Sequence, residues 1–418
     1  MMFWKRGVDM KKGQIPYMDP EILEDVRQPL LAAVDLGSTT IVAYLMDGLT
    51  GRRLSVRSML NPQKKYGADV VTRSSYALEH GAGILSSCAG EAVNHLLREA
   101  ARECGRSSED IVRIVMVGNT CMHHLFLEIP TDTLVVAPHE PRVKEAIKRN
   151  ALDHGILVHP SAELWWLPNI GGFVGADAVA CILSSGICEQ EELILLVDIG
   201  TNAELVLGSR HRRIACSTAA GPAFEGMKTS CGMRGNDGAI NHVSLENGRL
   251  CYHVIGETEP VGICGSGLLD AAACLLKTGA MDETGRMEKS WYFTSKVGVS
   301  QNDIRELQLA KAAIAAGIRL LCSHYGAGFS DIREVQFAGS FGNDMNPASA
   351  CAVGLFPAEL EDRIRPIGNA AGKGAQRAAL NVEEYEICSR MAEETEFLEL
   401  ARDQAFPDAF MEELLFPV

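Results

Sequence analysis

The stretch VDLGSTTIVAYLMD, residues 34–47, places a carboxylate between two apolar runs. The segments LLAAVDL and TIVAYLMD have the apolar, β-branched composition of buried strands, and Gly37 begins the short turn that joins them. After a second turn at Asp47 and Gly48, RRLSVRSML gives a third strand. The sequence therefore predicts an antiparallel meander, and not the strand–helix–strand opening of a dinucleotide-binding fold.

The opening pattern returns later in the chain. In ELILLVDIGTNAELVLGSR, residues 192–210, Asp198 stands in the same frame as Asp35: apolar strand, Asp-x-Gly, hydroxyl residue, apolar strand. Solenoid repeats have periods of about 20–50 residues. The much longer separation of Asp35 and Asp198 therefore indicates two lobes of similar construction. A chain of 418 residues is also too long for one ordinary hydrophobic core.

The two turns have the chemistry of a phosphate site. Glycine followed by hydroxyl residues aims backbone N–H groups and hydroxyls into one concave spot, and a carboxylate at the strand end suits Mg²⁺. One such turn is common for conformational reasons alone, but two turns can clasp the phosphates of a nucleotide from both sides. We therefore predict Asp35 and Asp198 as magnesium-side, catalytic carboxylates. The predicted phosphate-binding residues are Gly37, Ser38, Thr39, Thr40, Gly200, Thr201 and Asn202.

Three further segments add candidates for the same site. Glu204, six residues after Asp198, is a candidate general base that orients the attacking water, and its alternative is an outward-facing strand residue. In VQFAGSFGN, Gly339 lets backbone approach an adenosine closely, while Ser340 and Asn343 can hydrogen-bond it. An ordinary strand-to-helix turn is the alternative there.

The loop STAAGPAFEG borders the nucleotide in this interpretation. Gly221 makes its tight turn and Glu225 is a candidate for holding a ribose hydroxyl. The adjacent histidines His123 and His124 are expected to diverge from each other, so they favour core or interface roles over a shared metal site.

Composition excludes several functional classes. The formal net charge of −15 argues against a nonspecific nucleic-acid binder and against docking on an anionic membrane. No apolar window is long enough to span a bilayer, and the first residues lack a leader's apolar core. The thirteen cysteines include no C-x-x-C pair, which favours reduced thiols. We expect a cytoplasmic protein.

Five segments in order resemble the superfamily of acetate and sugar kinases, Hsp70 and actin (ASKHA). They are DLGSTT, NIGGFVGADAVACIL, VDIGTNAE, FAGSFGN and GNAAGKGAQRA, which correspond to phosphate 1, connect 1, phosphate 2, adenosine and connect 2. The resemblance implies a two-lobed, actin-like α/β fold with a duplicated mixed sheet of the ribonuclease H type, binding ATP and Mg²⁺. It also implies that the connect helices cross closely, through the small residues Gly171, Gly175, Ala370 and Gly374.

Four other strings resemble the reductive activators of corrinoid-dependent enzymes (RACE proteins): NPQKKYGADVVTR (residues 61–73), GNTCMHHLF (residues 118–126), STAAGPAFEG and GICGSGLLD. This resemblance implies an ATPase that couples MgATP to reduction of an inactive Co(II) corrinoid protein to Co(I). The implied partner is a corrinoid protein or a corrinoid-dependent methyltransferase. The chain is also a candidate for assembly as a homodimer.

The sequence departs from the RACE pattern at its amino end. RACE proteins typically carry an amino-terminal ferredoxin-like iron–sulfur domain, whereas this sequence has no cysteine before Cys88. We therefore expect no iron–sulfur cluster in this chain, and electrons from a separate low-potential donor. Two alternatives stay open: a small-molecule kinase of the same fold, and an ATP-gated binding protein without redox output.

The expected division of the chain follows from these motifs. Residues 1–30 form an amino-terminal arm, residues 31–185 completed by 366–418 form the first lobe, and residues 186–365 form the second lobe. For the acidic end, residues 382–417, we predict a strand followed by an amphipathic helix and a closing apolar tail, with its charges on a solvated face.

Overall fold

The computed structural model describes residues 26–246, 248–339 and 344–417. Most of the expected amino-terminal arm therefore lies outside the described residues. So do two of the predicted adenosine contacts, Ser340 and Asn343.

Strands and helices are mixed along the chain, with runs of consecutive strands at β1–β3 and β7–β12. The strands are β1 (Leu30–Leu36), β2 (Thr40–Asp47), β3 (Arg53–Leu60), β4 (Ile111–Val117), β5 (Ile147–Asn150), β6 (Glu163–Trp166), β7 (Leu193–Ile199), β8 (Ala203–Gly208), β9 (Arg213–Thr218), β10 (Ala239–Glu246), β11 (Arg249–Val254), β12 (Gly262–Ile263), β13 (Trp291–Tyr292), β14 (Gly298–Val299), β15 (Ile332–Ala338), β16 (Ile364–Gly368) and β17 (Thr395–Phe397). The α-helices are α1 (Val70–His80), α2 (Gly83–Glu103), α3 (Thr120–Phe126), α4 (Asp132–Val135), α5 (Ala176–Ser185), α6 (Gly265–Lys277), α7 (Gln301–Tyr325), α8 (Pro347–Ala352), α9 (Ala370–Leu380), α10 (Val382–Glu393) and α11 (Phe406–Glu412).

The chain folds into two compact units. One holds the described residues up to Ser184 together with Ala371–Glu394, and the other holds Ser185–Ala370 together with the residues from Thr395 onward. The division of the carboxyl end differs from our expectation that residues 366–418 would complete the first lobe. The last residues join the second unit because β17 pairs in parallel with β9 and α11 packs against α7.

The first unit contains a mixed sheet in the order β3-β2-β1-β4-β6-β5. Strands β1, β2 and β3 form the predicted antiparallel meander, while β4 runs parallel to both β1 and β6. Strand β1 is buried along its length except at Asp35, which is half-buried at the end of the strand. This is the predicted sheet of the ribonuclease H type.

The second unit repeats this plan in the order β16-β15-β7-β8-β9-β17. Strands β7, β8 and β9 form an antiparallel meander, and β15 runs parallel to both β7 and β16. Strand β7 has the burial pattern of β1, with Asp198 as its half-buried residue. The predicted duplication is confirmed, down to the position of the aspartate on the central strand.

The two helices that correspond to connect 1 and connect 2 are α5 and α9. A Cβ added at Gly374 would lie 2.5 Å from the carbonyl carbon of Ala180 and closer still to its oxygen. Gly374 therefore permits the close approach of α9 to α5 that the sequence predicted. Gly175 serves a different contact, because a Cβ there would lie 2.5 Å from the backbone nitrogen of Thr120.

The acidic end does not open with the predicted strand, because it begins with the helix α10. Asn381 caps it by accepting hydrogen bonds from the backbone nitrogens of Glu383 and Glu384, at 2.9 and 3.4 Å. The buried residues of α10 recur every three or four positions, which is the helical period: Val382, Tyr385, Cys388 and Ala392. The strand β17 follows this helix instead of preceding it.

A long helix supports the second sheet. Ser300 caps the start of helix α7, because its side chain accepts a hydrogen bond from the backbone nitrogen of Asp303 at 3.3 Å. Gly326 caps the end of the helix with a φ of 82°. Its apolar side packs into the core of the unit against β8 and β9. Across the described part of the chain, no helix combines the length and apolarity needed to cross a membrane.

Candidate functional site: two Asp-x-Gly turns

The first turn joins β1 to β2. Leu36 pairs with Ile41, so the four residues Gly37–Thr40 form the loop between them. A Cβ at Gly37 would lie 2.6 Å from the carbonyl oxygen of Thr40, so the turn closes only with glycine at this position. The predicted residues Asp35, Gly37, Ser38, Thr39 and Thr40 are thus brought together at one end of the first sheet.

Two asparagines that the sequence analysis gave no role hold this turn. Asn61 donates from Nδ2 to the carbonyl oxygen of Gly37 at 2.9 Å, and its backbone nitrogen donates to the carbonyl oxygen of Thr39 at 2.8 Å. Asn119 donates from Nδ2 to Oγ of Ser38 at 2.8 Å. Because Ser38 Oγ accepts this bond, its own hydroxyl proton is directed elsewhere and can be donated to a phosphate oxygen.

The placement of Asn119 follows from local sequence. It caps α3, since its Oδ1 accepts a hydrogen bond from the backbone nitrogen of Met122 at 3.0 Å. Strand β4 ends beside β1, and a Cβ at Gly118 would lie 2.6 Å from the carbonyl oxygen of Leu36. Both asparagines lie in strings that resemble RACE proteins, and the Asn-before-helix pattern was the local signal that could have identified Asn119.

The second turn joins β7 to β8 and is one residue shorter. Ile199 pairs with Ala203, and the backbone nitrogen of Gly200 donates to the carbonyl oxygen of Asn202 at 2.8 Å. In this register Asp198 is directly opposite Glu204. Directly opposed residues on antiparallel strands share one face of the sheet, so the two carboxylates are neighbours.

Glu204 is held from its other side as well. It pairs with Ser217 on β9, and Ser217 Oγ donates to Glu204 Oε1 at 3.2 Å. Like charges directly opposite each other destabilise a sheet, and a divalent cation between them would offset that cost. The pair therefore fits a magnesium-side carboxylate with a second carboxylate placed to hold a water.

The first hairpin lacks this second carboxylate. Its longer loop shifts the register, so Asp35 is opposite Val42. The two turns are thus alike in their aspartate and hydroxyl residues and different in acid–base capacity. Of the two hairpins, only the second places an acidic residue directly opposite its aspartate.

Two more predicted residues lie beside the second turn. Glu225 accepts a hydrogen bond at Oε2 from Oγ1 of Thr201 at 3.0 Å, which ties the STAAGPAFEG loop to the turn. Gly221 has a φ of 75° and precedes a short 3₁₀ helix, Pro222–Glu225. A larger residue at Gly221 would be strained by this φ, although no atom lies close to the position of its Cβ. The ribose role of Glu225 stays a prediction.

Gly339 directly follows β15 and lies beside Asp198. Ala338 is in register with Asp198, and a Cβ at Gly339 would lie 3.3 Å from Asp198 Oδ1 and 2.7 Å from the carbonyl oxygen of Ile199. Its φ of 97° also favours glycine. A side chain at this position would fill the space beside the carboxylate, so the glycine keeps that space open.

Burial shapes the electrostatics near both aspartates. It raises the pKa of the Tyr44 phenol, and the Asp35 carboxylate raises it further. It likewise raises the pKa of the Cys216 thiol, with Glu204 as a second cause. Both groups are therefore neutral at physiological pH and add no negative charge beside these carboxylates.

The described residues contain no group of three His, Cys, Asp or Glu side chains that could hold a metal ion by themselves. Mg²⁺ is usually held by one or two carboxylates together with substrate phosphates, so the donor sets at the two turns suit it.

His123 and His124 are buried core residues. Although adjacent, they do not diverge fully, since their Nδ1 atoms lie 3.2 Å apart. His124 contacts the carbonyl oxygen of Thr120 through Nδ1 at 2.9 Å and accepts a hydrogen bond from the backbone nitrogen of Arg142 at Nε2. Burial lowers the pKa of His123 to about 3 and that of His124 to about 4. Both are therefore neutral at physiological pH.

Comparison with known proteins identifies the family. Residues 30–190 match the RACo middle region, and residues 192–418 match the C-terminal domain of RACo, the ASKHA domain. The chain is 36% identical over 92% of its length to the corrinoid activation enzyme RamQ of Eubacterium limosum, and spans 70% of that protein. It is 25% identical over 92% of its length to a Co(II) methylated amine-specific corrinoid protein reductase of Methanosarcina barkeri, and spans 76% of it.

A solved structure supports the same assignment. The reductive activator for corrinoid, iron–sulfur protein superposes with a TM-score of 0.86 at 32% identity over 93% of this chain, and this chain spans 66% of that protein. The chain belongs to the RACo family of corrinoid activators, with the family's middle region in its first half and the actin-like ASKHA domain in its second.

Proposed function

We propose that this chain is an ATP-binding and ATP-hydrolysing activator that couples MgATP to reduction of an inactive Co(II) corrinoid protein to Co(I). The observation that carries the ATPase part is the Asp198–Glu204 pair at the second turn. The corrinoid part is supported by the family and by relatives named for corrinoid activation and Co(II) corrinoid protein reduction. The electrons come from a separate low-potential donor.

The residues of the two turns divide the work. Asp35 and Asp198 are the proposed magnesium-side carboxylates, and Mg²⁺ would supply neutralisation of charge on the phosphate oxygens. The turn hydroxyls and N–H groups bind phosphate, with Ser38 presented by Asn119. Glu204, positioned by Ser217, orients a water and accepts its proton.

The nucleoside end is assigned to the second unit. Gly339 leaves room for the adenosine beside Asp198, and Glu225, anchored to Thr201, binds a ribose hydroxyl. Ser340 and Asn343 complete this part of the proposal from outside the described residues. Gly221 gives the loop before Glu225 its left-handed turn.

Nucleotide drives the reduction through differential affinity. A nucleotide can shift the cobalt equilibrium only if the activator binds one state of the corrinoid protein more tightly than the other, and if ATP changes that difference. A shift of 1.4 kcal/mol in this difference is tenfold in the Co(I) to Co(II) ratio.

The test is an anaerobic visible spectrum of a Co(II) corrinoid protein mixed with this protein, MgATP and a low-potential donor. We expect the Co(I) absorption band with MgATP and no band without it. The Asp198→Asn variant should give no ATP-dependent band, because it removes the metal-side charge. A Co(I) band of equal size without ATP would refute the coupling.

The same experiment separates the two alternatives. A small-molecule kinase of this fold consumes ATP only when a metabolite is present and leaves the cobalt spectrum unchanged. An ATP-gated binding protein shows nucleotide-dependent binding of the corrinoid protein, again with no change at cobalt. Either result, with the donor shown to be competent, replaces the activator proposal.

A further inference from the structure

A short 3₁₀ helix, Pro62–Tyr66, lies between β3 and α1. Asn61 caps this helix, because its Oδ1 accepts a hydrogen bond from the backbone nitrogen of Gln63 at 2.9 Å. The same asparagine holds the first Asp-x-Gly turn, since its backbone nitrogen donates to Thr39 and its Nδ2 donates to Gly37. The 3₁₀ helix therefore starts directly against that turn.

Two buried polar side chains fix the rest of this helix. Gln63 is fully buried and donates from Nε2 to the carbonyl oxygen of Leu85 on α2 at 2.9 Å. Arg73 on α1 is 1% exposed and donates from Nε to the carbonyl oxygen of Gly67 at 3.0 Å. A Cβ at Gly67 would lie 2.7 Å from the backbone nitrogen of Arg73, so this approach needs glycine. The helix is thus held at its start, in its middle and at its end.

Lys64 lies on the side of this helix from which Asn61 contacts the turn. A 3₁₀ helix has 3.0 residues per turn, so side chains three positions apart eclipse each other. Lys64 is three residues after Asn61, and its backbone nitrogen donates to the carbonyl oxygen of Asn61 at 3.3 Å. Lys64 is exposed, and its ammonium forms no ion pair with any carboxylate of the described residues.

The neighbouring Lys65 is directed elsewhere. Successive residues of a 3₁₀ helix are rotated by about 120°. The ammonium of Lys65 lies 4.8 Å from the centre of the Tyr66 ring, and its interaction with Tyr66 raises the pKa of this ammonium. Interaction with Cys88 and Glu91 on α2 raises the pKa further. Lys65 is therefore directed toward α2, on a different side of the helix from Lys64.

The first turn has no positive charge of its own. The residues Gly37–Thr40 are uncharged, Asp35 adds negative charge, and the two side chains that hold the turn, Asn61 and Asn119, are neutral. The phosphate chain of ATP is anionic, and nucleotide-hydrolysing sites commonly place a lysine on its β and γ phosphates. Lys64 lies where such a cation is needed.

We propose that Lys64 binds the terminal phosphate at the first turn and makes the site selective for ATP over ADP. The inference rests on the proposed ATP-binding function, which assigns the nucleoside to the second unit and so leaves the phosphate end to the first turn. The anchored 3₁₀ helix fixes the backbone of Lys64, while the flexible stem of lysine lets the ammonium reach the phosphate oxygens. Since ADP lacks the terminal phosphate, it gains less from this ammonium than ATP does.

The test is calorimetric titration of the full chain with MgATP, MgADP and adenosine. Lys64→Met should weaken MgATP binding about 10- to 100-fold, because a hydrogen bond between charged groups is lost. MgADP binding should weaken less. Adenosine carries no phosphate, so its affinity should stay within about twofold of the parent value. Lys64→Arg keeps the positive charge and should retain most of the affinity for MgATP.

Lys65→Met is the matched control, because it removes a lysine from another side of the same helix. Its affinity for MgATP should equal that of the parent, and thermal unfolding verifies that each variant is folded. The proposal is overturned if Lys64→Met binds MgATP as tightly as the parent, or if it loses affinity equally for MgATP and MgADP. An equal loss for adenosine, or in Lys65→Met, overturns it as well. A parent chain that binds no MgATP refutes the proposed function itself, and this inference with it.

Discussion

The substitution Asn119→Asp isolates the hydrogen bond that presents Ser38. The new carboxylate still caps α3, because one of its oxygens can accept from the backbone nitrogen of Met122 as Asn119 Oδ1 does at 3.0 Å. It has no N–H to donate to Ser38 Oγ, the contact that is 2.8 Å long in the present structure. The Ser38 hydroxyl then donates its proton to the carboxylate and no longer to a phosphate oxygen.

The size of the effect follows from that exchange. A hydrogen bond to a charged group contributes about 1.5–3 kcal/mol. Its loss corresponds to ATP binding roughly 10- to 150-fold weaker, since every 1.4 kcal/mol is tenfold. Asparagine and aspartate are similar as N-caps, so the free energy of unfolding should change by less than about 0.5 kcal/mol.

The assay is calorimetric titration with MgATP, alongside thermal unfolding of the same samples. Asn381→Asp is the matched control: Asn381 also caps a helix through Oδ1, but it contacts neither turn, and its ATP affinity should not change. In a Ser38→Ala background the effect of Asn119→Asp should shrink, because the hydroxyl it acts through is gone. An Asn119→Asp protein that binds MgATP within about twofold of the parent would refute the reasoning.

Three other outcomes are expected. Gly374→Ala should destabilise its unit by about 1–3 kcal/mol, because the new Cβ would lie 2.5 Å from a backbone carbonyl carbon. Gly90→Ala is the control: its new Cβ would have no neighbour other than its own helix backbone nearer than 3.8 Å, so this substitution should stabilise the unit by up to ~1 kcal/mol. Urea unfolding checks both, and a stabilising Gly374→Ala contradicts the packing. Glu204→Gln should slow ATP hydrolysis about 100-fold or more in single turnovers with ATP affinity retained, and an unchanged rate excludes it as the base. Burial lowers the pKa of His123 from 6.5 to about 3, so between these values the unfolded chain binds a proton that the folded chain does not. Stability should therefore fall as pH decreases from 6.5 toward 3, and His123→Gln should reduce the slope in an acid titration followed by circular dichroism.

Local pattern was sufficient for the repeated hairpins. The alternation of apolar strand, Asp-x-Gly and hydroxyl residues is a short-range signal, and it located β1, β2, β7 and β8 and the position of both aspartates. It failed at α10, because a strand was predicted for the start of the acidic end. There the cap at Asn381 and the spacing of the buried residues decide for a helix.

Glu204 shows where sequence reasoning stops. Its distance from Asp198 along the chain suggested a role, but whether it lies opposite that aspartate depends on the loop length and the strand register. In the first hairpin one extra loop residue puts Val42 opposite Asp35. Register thus decides that Glu204 faces Asp198. The first hairpin lacks a second carboxylate in any nearby register, because residues 40–46 include no acidic residue.

The sequence by itself determined the duplicated α/β plan, the two aspartates at the strand ends, the hydroxyl-rich turns and the family, because each of these depends on neighbours within one strand and its turn. Only the tertiary structure decided that Asn61 and Asn119 hold the first turn, that Glu225 anchors to Thr201, and that the last residues of the chain join the second unit. Those contacts join residues far apart in sequence, and no local period encodes them. They exist because parallel strand ends and the loops that follow them meet at one edge of each sheet.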